Sequence, residues 1–176
     1  MEKKIGEIRE ELKAAEDNLL PDFIEKYSLD ERSGVKTLIA QAKKRIEKLE
    51  QEKARIEALK KYEKEYAGYG YICGIDEVGR GPLAGPVVAG AVILPEDCDI
   101  LYINDSKKLS AKKREMLYDE IMEKAVAVGI GMVGPARIDE INILQATYEA
   151  MREAIRNLAV KPDILLNDAV TIPQVD

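Results

Sequence analysis

The sequence predicts an α/β domain, a mixed sheet with flanking helices, preceded by an α-helical N-terminal extension. Two observations lead to this prediction. Residues 1–66 are dense in charge of both signs and place apolar residues at helical spacing. After residue 70, four short apolar runs rich in Val and Ile alternate with two segments of helical period. Strands and helices that alternate in this way form one layered sheet. We therefore divide the chain into a hairpin-like helical extension, 1–66, and an α/β domain, 71–176.

The extension is predicted to hold two or three helices. A one-sided apolar stripe covers residues 5–19, Pro21 marks a stop, residues 22–27 form a short helix, and a long helix starts near Gly34. Lys and Arg number 16 in this region, as do Asp and Glu, so its net charge is zero. Mixed charges of this kind are typical of a solvated helix face. Contact of the extension with a nucleic acid, with the rest of the chain or with another chain stays open.

The α/β domain is predicted from alternating periods in the second part of the chain. Strands are expected at 71–75, 87–94, 125–133 and 162–167, and helices at 111–124 and 137–158. Ser110 is placed to cap the first of these helices, because its hydroxyl can accept a backbone N–H of the first turn. Residues 67–70, Ala-Gly-Tyr-Gly, are expected to form a hinge before the first strand.

Two adjacent carboxylates, Asp76 and Glu77, follow the first apolar run. Neighbouring strand residues point to opposite faces, so the two side chains are not expected to point the same way. Two carboxylates held close together need a cation to neutralise them, and oxygen-only ligands suit Mg²⁺ or Mn²⁺. The other interpretation is a solvated acidic turn, because charged residues are mostly exposed.

A turn that contains Gly79, Arg80 and Gly81 comes next. Glycine lets another molecule approach the backbone closely, exposed N–H groups in such a turn can bind anions, and the Arg80 guanidinium suits phosphate. A plain β-turn with an exposed arginine is the alternative. A dinucleotide-binding loop is excluded, because that loop opens a helix, whereas here prolines and a β-branched run follow.

Two further segments carry candidate residues. Asp168 ends the fourth apolar run, as Asp76 ends the first, although Asp is also common where a turn begins. Residues 107–114 hold five Lys and Arg side chains, directly after Ser106 and directly around the expected start of a helix. Ser106 could donate to a phosphate, and the helix N-terminus adds partial positive charge. This segment is the best local candidate for phosphate contact.

Composition excludes several function classes. The chain of 176 residues has no histidine, which removes Ser–His triads, histidine bases and His-ligated zinc. The formal net charge of −6 argues against a generally basic nucleic-acid binder, although bound cations would cancel part of it. Cys73 and Cys98 are isolated and fit a reducing cytoplasm. No apolar stretch has the length of a membrane span, so no membrane contact is expected.

Three segments, in this order, resemble the signatures of the type 2 ribonuclease H (ribonuclease HII) family. The first is Gly74-Ile-Asp-Glu-Val-Gly-Arg-Gly-Pro-Leu-Ala-Gly-Pro86 with the strand that follows, a long and specific motif. The second is Asn104-Asp-Ser-Lys-Lys-Leu-Ser110, and the third is Ile164-Leu-Leu-Asn-Asp-Ala169. The resemblance covers the chain from about Tyr71 to its end.

The resemblance implies a ribonuclease H-like fold and a metal-dependent endonuclease that cuts the RNA strand of RNA–DNA hybrids, including single ribonucleotides embedded in duplex DNA. It implies that Asp76, Glu77 and Asp168 are catalytic and bind two Mn²⁺ or Mg²⁺ ions. It further implies that Gly79, Arg80 and Gly81 read the 2′-hydroxyl, which distinguishes RNA from DNA. Ser106 and Lys107 would bind the substrate near the scissile phosphate, with the other basic residues of 108–114 more peripheral.

The chain departs from the family pattern at its C-terminus. The family has a fourth carboxylate and a substrate-stacking tyrosine beyond the segment that matches Asp168, whereas this sequence stops at Asp176. Asp176 is too close to Asp168 to be expected as the fourth ligand. We therefore expect a truncated chain with reduced metal affinity and activity.

Two alternatives to the nuclease hypothesis remain open from the sequence. The chain could be a non-catalytic fragment that binds nucleic acid or a protein partner. A phosphatase or another nuclease built on an acidic sheet would share the carboxylates, but it would not need the Gly-Arg-Gly turn.

Overall fold

The computed structural model describes residues 3–81, 85–168 and 171–175. The chain divides into two compact units, Met1–Ala58 and Leu59–Asp176. In the part of the chain that is described, no helix combines the length and the apolarity needed to cross a bilayer.

The first unit is helical. Helix α1 spans Ile5–Ala14, α2 spans Leu20–Tyr27 and α3 spans Ser33–Leu59. Their apolar stripes meet in a buried cluster: Ile8, Leu12, Leu20, Phe23, Tyr27, Val35, Leu38 and Ala42. The stripe predicted to continue to residue 19 is interrupted, because α1 ends at Ala14 and a single 3-10 turn follows. Pro21 lies in the first turn of α2 rather than ahead of it. Backbone N–H groups in the first turn have no acceptor within the helix, so a proline there breaks no helical hydrogen bond.

Glu11 is the polar centre of this unit. Its carboxylate accepts hydrogen bonds from the Lys3 ammonium at 2.6 Å and the Tyr27 hydroxyl at 2.8 Å, and it also pairs with Lys26. These donors, with Lys26 first, lower the pKa of Glu11 to about 2. The ends of α1 and α2 are therefore joined by a charged network above an apolar core.

The second unit contains a four-stranded mixed sheet. Its elements are α4 (Lys61–Glu65), β1 (Ile72–Val78), β2 (Val87–Ile93), α5 (Ala111–Lys124), β3 (Ala127–Val133), α6 (Pro135–Arg156) and β4 (Ile164–Asn167). The strand order is β3-β2-β1-β4, with β1–β2 and β2–β3 antiparallel and β1–β4 parallel. The predicted fold class, a mixed sheet with flanking helices after a helical region, is confirmed.

Helix α6 packs on one face of this sheet so closely that its backbone approaches the backbone of β3. Its buried residues include Ala146, Ala150 and Ala154, which join the strand residues in one core. A Cβ at Gly131 would lie 2.0 Å from the carbonyl oxygen of Ala150, and a Cβ at Gly129 would lie 2.0 Å from that of Ala154. Both strand glycines are therefore required by the closeness of the helix.

The same helix protects the outer edge of β3. The Glu153 carboxylate accepts the backbone N–H of Met132 at 2.9 Å, and the Asn157 amide donates to the carbonyl of Ile130 at 2.7 Å. Edge strands present unpaired backbone groups that can recruit another chain. Glu153 and Asn157, one helical turn apart, form hydrogen bonds with two of these edge groups of β3.

Two elements, β1 and α6, differ from the sequence prediction. Strand β1 continues through Asp76 and Glu77 to Val78, because both acidic residues pair with the small residues Gly90 and Ala89 of β2. Helix α6 is broken at Asn142, which has φ 68° and ψ 163°, and the side chain of Asn142 accepts the N–H groups of residues 144 and 145. An Asn can cap a helix in this way, so a second helical segment begins there.

The close packing of α6 on β3 predicts that Gly131→Ala is strongly destabilising. The added Cβ meets a helix carbonyl, which can move only with the helix, so we expect a loss of about 1–3 kcal/mol in the free energy of unfolding. Urea denaturation followed by circular dichroism measures this loss.

The matched control is Gly90→Ala on β2, whose added Cβ meets no described atom within 4 Å. This variant should be as stable as the original chain, or more stable by up to about 1 kcal/mol, because Ala loses less backbone entropy than Gly. Equal destabilisation by both substitutions would contradict the packing explanation.

The Glu11 network predicts a pH dependence of the first unit. Because the pKa of Glu11 is depressed in the folded state, its stabilisation is present above about pH 4.5 and is lost as the pH falls towards 2. Without screening by solvent, this lowering of the Glu11 pKa would correspond to about 3 kcal/mol of stabilisation of the folded state. Both lysines are exposed, and solvent screens their attraction to Glu11. We therefore expect Glu11→Gln to lower the free energy of unfolding at pH 6 by about 1–2 kcal/mol.

Denaturation of the full chain at pH 6 and pH 2 measures this effect, and the difference between the original chain and Glu11→Gln should vanish at pH 2. Glu10→Gln is the control, since the Glu10 side chain is 70% exposed and its one ion pair within the described ranges is with Lys13. A Glu11→Gln variant as stable as Glu10→Gln at pH 6 would refute the role of the network.

Candidate functional site

The acidic pair lies within β1, with its two side chains on opposite faces. Cys73 and Ile75 are buried against the core, whereas Gly74, Asp76 and Val78 are exposed on the other face. Glu77 follows the alternation and lies on the side of Cys73 and Ile75. As the alternation predicts, Asp76 and Glu77 approach any shared ligand from different sides of the strand end.

Different groups hold the two carboxylates. Asp76 Oδ1 accepts the backbone N–H of Glu77 at 2.8 Å. Glu77 Oε1 is paired with the Arg80 guanidinium at 3.1 Å, and the Glu77 side chain is only 21% exposed. Glu77 Oε2 has no hydrogen-bond partner in the described ranges. Each carboxylate thus keeps an oxygen that is not engaged by a described donor.

The turn after β1 depends on Gly79. Gly79 has φ +95°, and a Cβ there would lie 2.4 Å from the carbonyl oxygen of Pro86. At Gly81, by contrast, an added Cβ meets no described atom within 4 Å. The two glycines therefore differ: Gly79 is required by the turn itself, while Gly81 borders open space.

Strand β4 brings Asp168 to the same end of the sheet. The parallel register pairs Ile75 of β1 with Asn167 of β4. Asp76 and Asp168 directly follow this pair, so the two aspartates begin at neighbouring positions on adjacent strands. Both are exposed.

The structure does not gather Asp76, Glu77 and Asp168 into one tight cluster. Within residues 3–81, 85–168 and 171–175, no group of three His, Cys, Asp or Glu side chains is arranged to hold a metal ion. Asp76 and Asp168 are the pair that the sheet brings together, while Glu77 is paired with Arg80. Asp176 lies outside the described residues.

Ser106 and Lys107 lie in a separate braced turn. Residues Ser106–Lys108 form a 3-10 turn whose cap is Asp105, and Asp105 Oδ1 accepts the Lys107 N–H at 2.9 Å. Helix α5 then begins at Ala111, and Ser110 Oγ accepts the Lys113 N–H at 3.3 Å, which confirms the predicted N-cap. No hydrogen bond or ion pair between described residues links this turn to β1.

The sequence did not reveal how the basic residues of this segment differ. Arg114 donates to the carbonyl of Leu109 at 2.7 Å and to that of Ser106 at 3.3 Å, so it braces the turn. The Lys113 ammonium lies 4.8 Å from the ring centroid of Tyr102. Tyr102 precedes the basic run by several residues, and no local pattern marks it as a partner of Lys113.

The cysteine nearest the site is a core residue. Burial raises the pKa of the Cys73 thiol to about 11, so this group remains protonated near neutral pH. Both cysteines, Cys73 and Cys98, are unpaired thiols. Thiolate chemistry at Cys73 is therefore excluded from the candidate site.

Two family models match this chain. The model described as Ribonuclease HII matches residues 73–175, and the model described as Ribonuclease HII N-terminal domain matches residues 4–67. The first covers β2, β3, β4, α5 and α6, and all of β1 except Ile72. The second covers the three helices of the first unit and α4.

Relatives in several bacteria carry the same name, Ribonuclease HII. The protein of Lachnoclostridium phytofermentans is 64% identical over 172 residues, which cover 98% of this chain and 68% of the relative. That of Bacillus cytotoxicus is 49% identical, covering 97% of this chain and 65% of the relative. That of Lactobacillus delbrueckii subsp. bulgaricus is 47% identical, with coverage of 97% and 66%. The chain thus spans about two thirds of the length of these curated relatives.

Among solved structures, the crystal structure of the ribonuclease H2 from Pyrococcus horikoshii OT3 overlaps 60% of this chain and 52% of its own. The two are 28% identical, with a TM-score of 0.48. The family match over residues 73–175, together with a relative of 64% identity along almost the whole sequence, leads to one conclusion. This chain belongs to the ribonuclease HII family.

Proposed function

We propose that this chain is a metal-dependent endonuclease that cleaves the RNA strand of RNA–DNA hybrids, including the 5′ side of a single ribonucleotide embedded in duplex DNA. Membership of the ribonuclease HII family supports this function. We assign the chemistry to a domain spanning 71–176 and treat 1–66 as a helical extension. The equal numbers of acidic and basic residues in the extension favour a structural or docking role over a substrate-binding one.

One observation carries the proposal: the parallel pairing of β1 with β4 places two exposed aspartates side by side at one end of the sheet. Asp76 and Asp168 directly follow the pair Ile75 and Asn167. Neighbouring carboxylates repel each other unless a cation lies between or beside them. A strand end that offers two such groups close to the exposed residues Gly79, Arg80 and Gly81 suits a phosphodiester together with a divalent cation.

The donor set fits a hard divalent cation. Asp76 and Asp168 offer oxygen ligands, and Glu77 offers Oε2 while Oε1 remains paired with Arg80. Such ligands suit Mg²⁺ or Mn²⁺. When bound, one or two of these ions would stabilise the negative charge that develops on the phosphate and on the leaving 3′ oxygen.

The turn after β1 is proposed to recognise the ribose. Gly79 fixes its conformation, Arg80 is held beside the acidic strand by Glu77, and Gly81 borders open space among the described residues. A backbone without a side chain at Gly81 can approach a 2′-hydroxyl closely, and this group is what separates RNA from DNA. Ser106 and Lys107, on their braced turn, would contact phosphates.

The partner that follows from this proposal is a nucleic-acid duplex, either a hybrid or DNA with an embedded ribonucleotide. A cytoplasmic location fits this substrate in bacteria, and it fits two unpaired cysteines.

The first test is cleavage of a DNA duplex that carries one internal ribonucleotide, with Mg²⁺ and then with Mn²⁺. We expect a cut on the 5′ side of the ribonucleotide. Asp76→Asn and Asp168→Asn should each lower the rate at least about a hundredfold, because a bound ion contributes several kcal/mol. Direct titration with Mn²⁺ should show weaker binding in the same variants.

Asp163→Asn is the control for this experiment, since Asp163 lies just before β4 and accepts the backbone N–H of Tyr71 at 2.8 Å, away from the strand end. It should retain both cleavage and Mn²⁺ binding. Binding of the duplex without cleavage in either metal would instead favour a non-catalytic nucleic-acid-binding role.

The two glycines of the turn generate a second prediction. Gly81→Ala should leave the stability almost unchanged, because its Cβ enters open space, yet it should lower kcat/KM about tenfold by separating backbone and ribose. Thermal unfolding and single-turnover cleavage measure the two effects separately.

Gly79→Ala should show the opposite pattern, with a lower Tm, because φ is +95° and the added Cβ would lie only 2.4 Å from the carbonyl oxygen of Pro86. A Gly81→Ala variant that cleaves as fast as the original chain would show that the turn does not pack against the substrate.

A further inference from the structure

The loop before α5 carries an aromatic ring in an unusual backbone conformation. Tyr102 has φ +65°, a region that residues other than glycine rarely occupy, and the residue is 45% exposed. The Lys113 ammonium lies 4.8 Å from the centroid of the ring, within the range of a cation–π contact. The loop thus holds its ring next to the first turn of α5 although the backbone disfavours this conformation.

The five basic residues of 107–114 are not equivalent in their contacts. The Arg114 guanidinium donates hydrogen bonds to the backbone carbonyls of Ser106 and Leu109. The ammonium groups of Lys107, Lys108 and Lys112 have no hydrogen bond or ion pair in the described part of the chain. Lys113 alone in this set is held by a ring, and it has no carboxylate within salt-bridge distance among the described residues.

A lysine on an aromatic face retains its hydrogen-bonding capacity. The ring attracts the charge of the ammonium but accepts no strong hydrogen bond, so the N–H donors of Lys113 remain available to an anion. The ring also restricts the rotamers of a long, flexible side chain, which lowers the entropy that a contact with phosphate would cost. Lys113 is therefore a cation held in place and available for pairing.

We infer that Lys113 is a phosphate-binding residue for the nucleic-acid duplex and that Tyr102 is its positioning residue. This inference rests on the proposed function and extends it to a contact outside Ser106 and Lys107. It also revises the sequence-based expectation that Lys113 is peripheral. The chemistry recognised is a phosphodiester of the duplex backbone, so the contact adds affinity without base specificity.

A purely structural role for Tyr102 makes a different prediction from a positioning role. At φ +65° glycine is the preferred residue, so Tyr102→Gly removes the ring and relieves the backbone at the same time. If the ring only filled space, the variant would lose stability and keep its affinity. If the ring positions Lys113, the variant keeps or gains stability and loses affinity.

The experiment measures Kd of the full chain for a fluorescent RNA–DNA hybrid in EDTA, over a series of salt concentrations. Lys113→Gln should weaken binding about three- to tenfold and reduce the slope of log Kd against log salt by about one. Tyr102→Gly should weaken binding about threefold with an unchanged or higher Tm, and Tyr102→Phe, which retains the ring face, should bind like the original chain. The double variant Tyr102→Gly, Lys113→Gln should bind no more weakly than Lys113→Gln alone.

The matched control is Lys61→Gln. Lys61 lies over the ring of Tyr62 at 5.6 Å, so its substitution removes the same charge and the same kind of contact outside the loop and α5. This variant should keep the original salt slope. A Lys113→Gln variant with the original slope, or additive losses in the double variant, would overturn the inference while leaving the proposed function intact. An original chain with no salt-dependent affinity for the hybrid would overturn both.

Discussion

The contact between α6 and β3 is the constraint on which the sheet depends. Two glycines, Gly129 and Gly131, let helix carbonyls approach the strand so closely that a single methyl group has no room. Interiors packed at this density tolerate little added volume. Because α6 is fixed on β3, and β2 and β1 follow by register, the helix determines where the end of β1 lies. The acidic residues are thus positioned by packing on the opposite side of the sheet from Asp76.

Local chemistry at the end of β1 then separates residues that are adjacent in sequence. Because side chains alternate along β1, Asp76 lies on the exposed face of the sheet and Glu77 on the face covered by the core. There Glu77 forms an ion pair with Arg80. Gly79 follows the last residue of β1 with φ +95°, and its Cα lies close to the backbone of Pro86, which precedes β2. Carboxylates, a positive group and an open backbone consequently meet within a few residues. Such proximity would let the proposed binding of a cation and the proposed recognition of the ribose act on the same nucleotide.

The elements that follow from local periodicity were predictable, and those that depend on partners were not. Helix α5 was predicted with its bounds and its Ser110 cap, because period and capping are both local. The extension of β1 through Asp76 and Glu77 was missed, because it depends on the small residues opposite them on β2. The break at Asn142 was missed because the apolar pattern continues through it. The chemistry of the side chains was enough to select candidate site residues from the sequence. Their partners, such as Arg80 for Glu77, could be identified only from the folded structure.

The protected edge of β3 limits how copies of this chain could assemble. A second copy that paired along β3 would first have to displace Glu153 and Asn157 from the backbone groups they occupy. Addition at both edges of a sheet gives open-ended growth, whereas addition at one edge gives a pair related by a two-fold axis that cannot grow further. Glu153 on α6 and Asn157 at the C-cap of α6 thereby oppose fibre growth through this edge, because each new strand would have to break both hydrogen bonds before it could pair with β3.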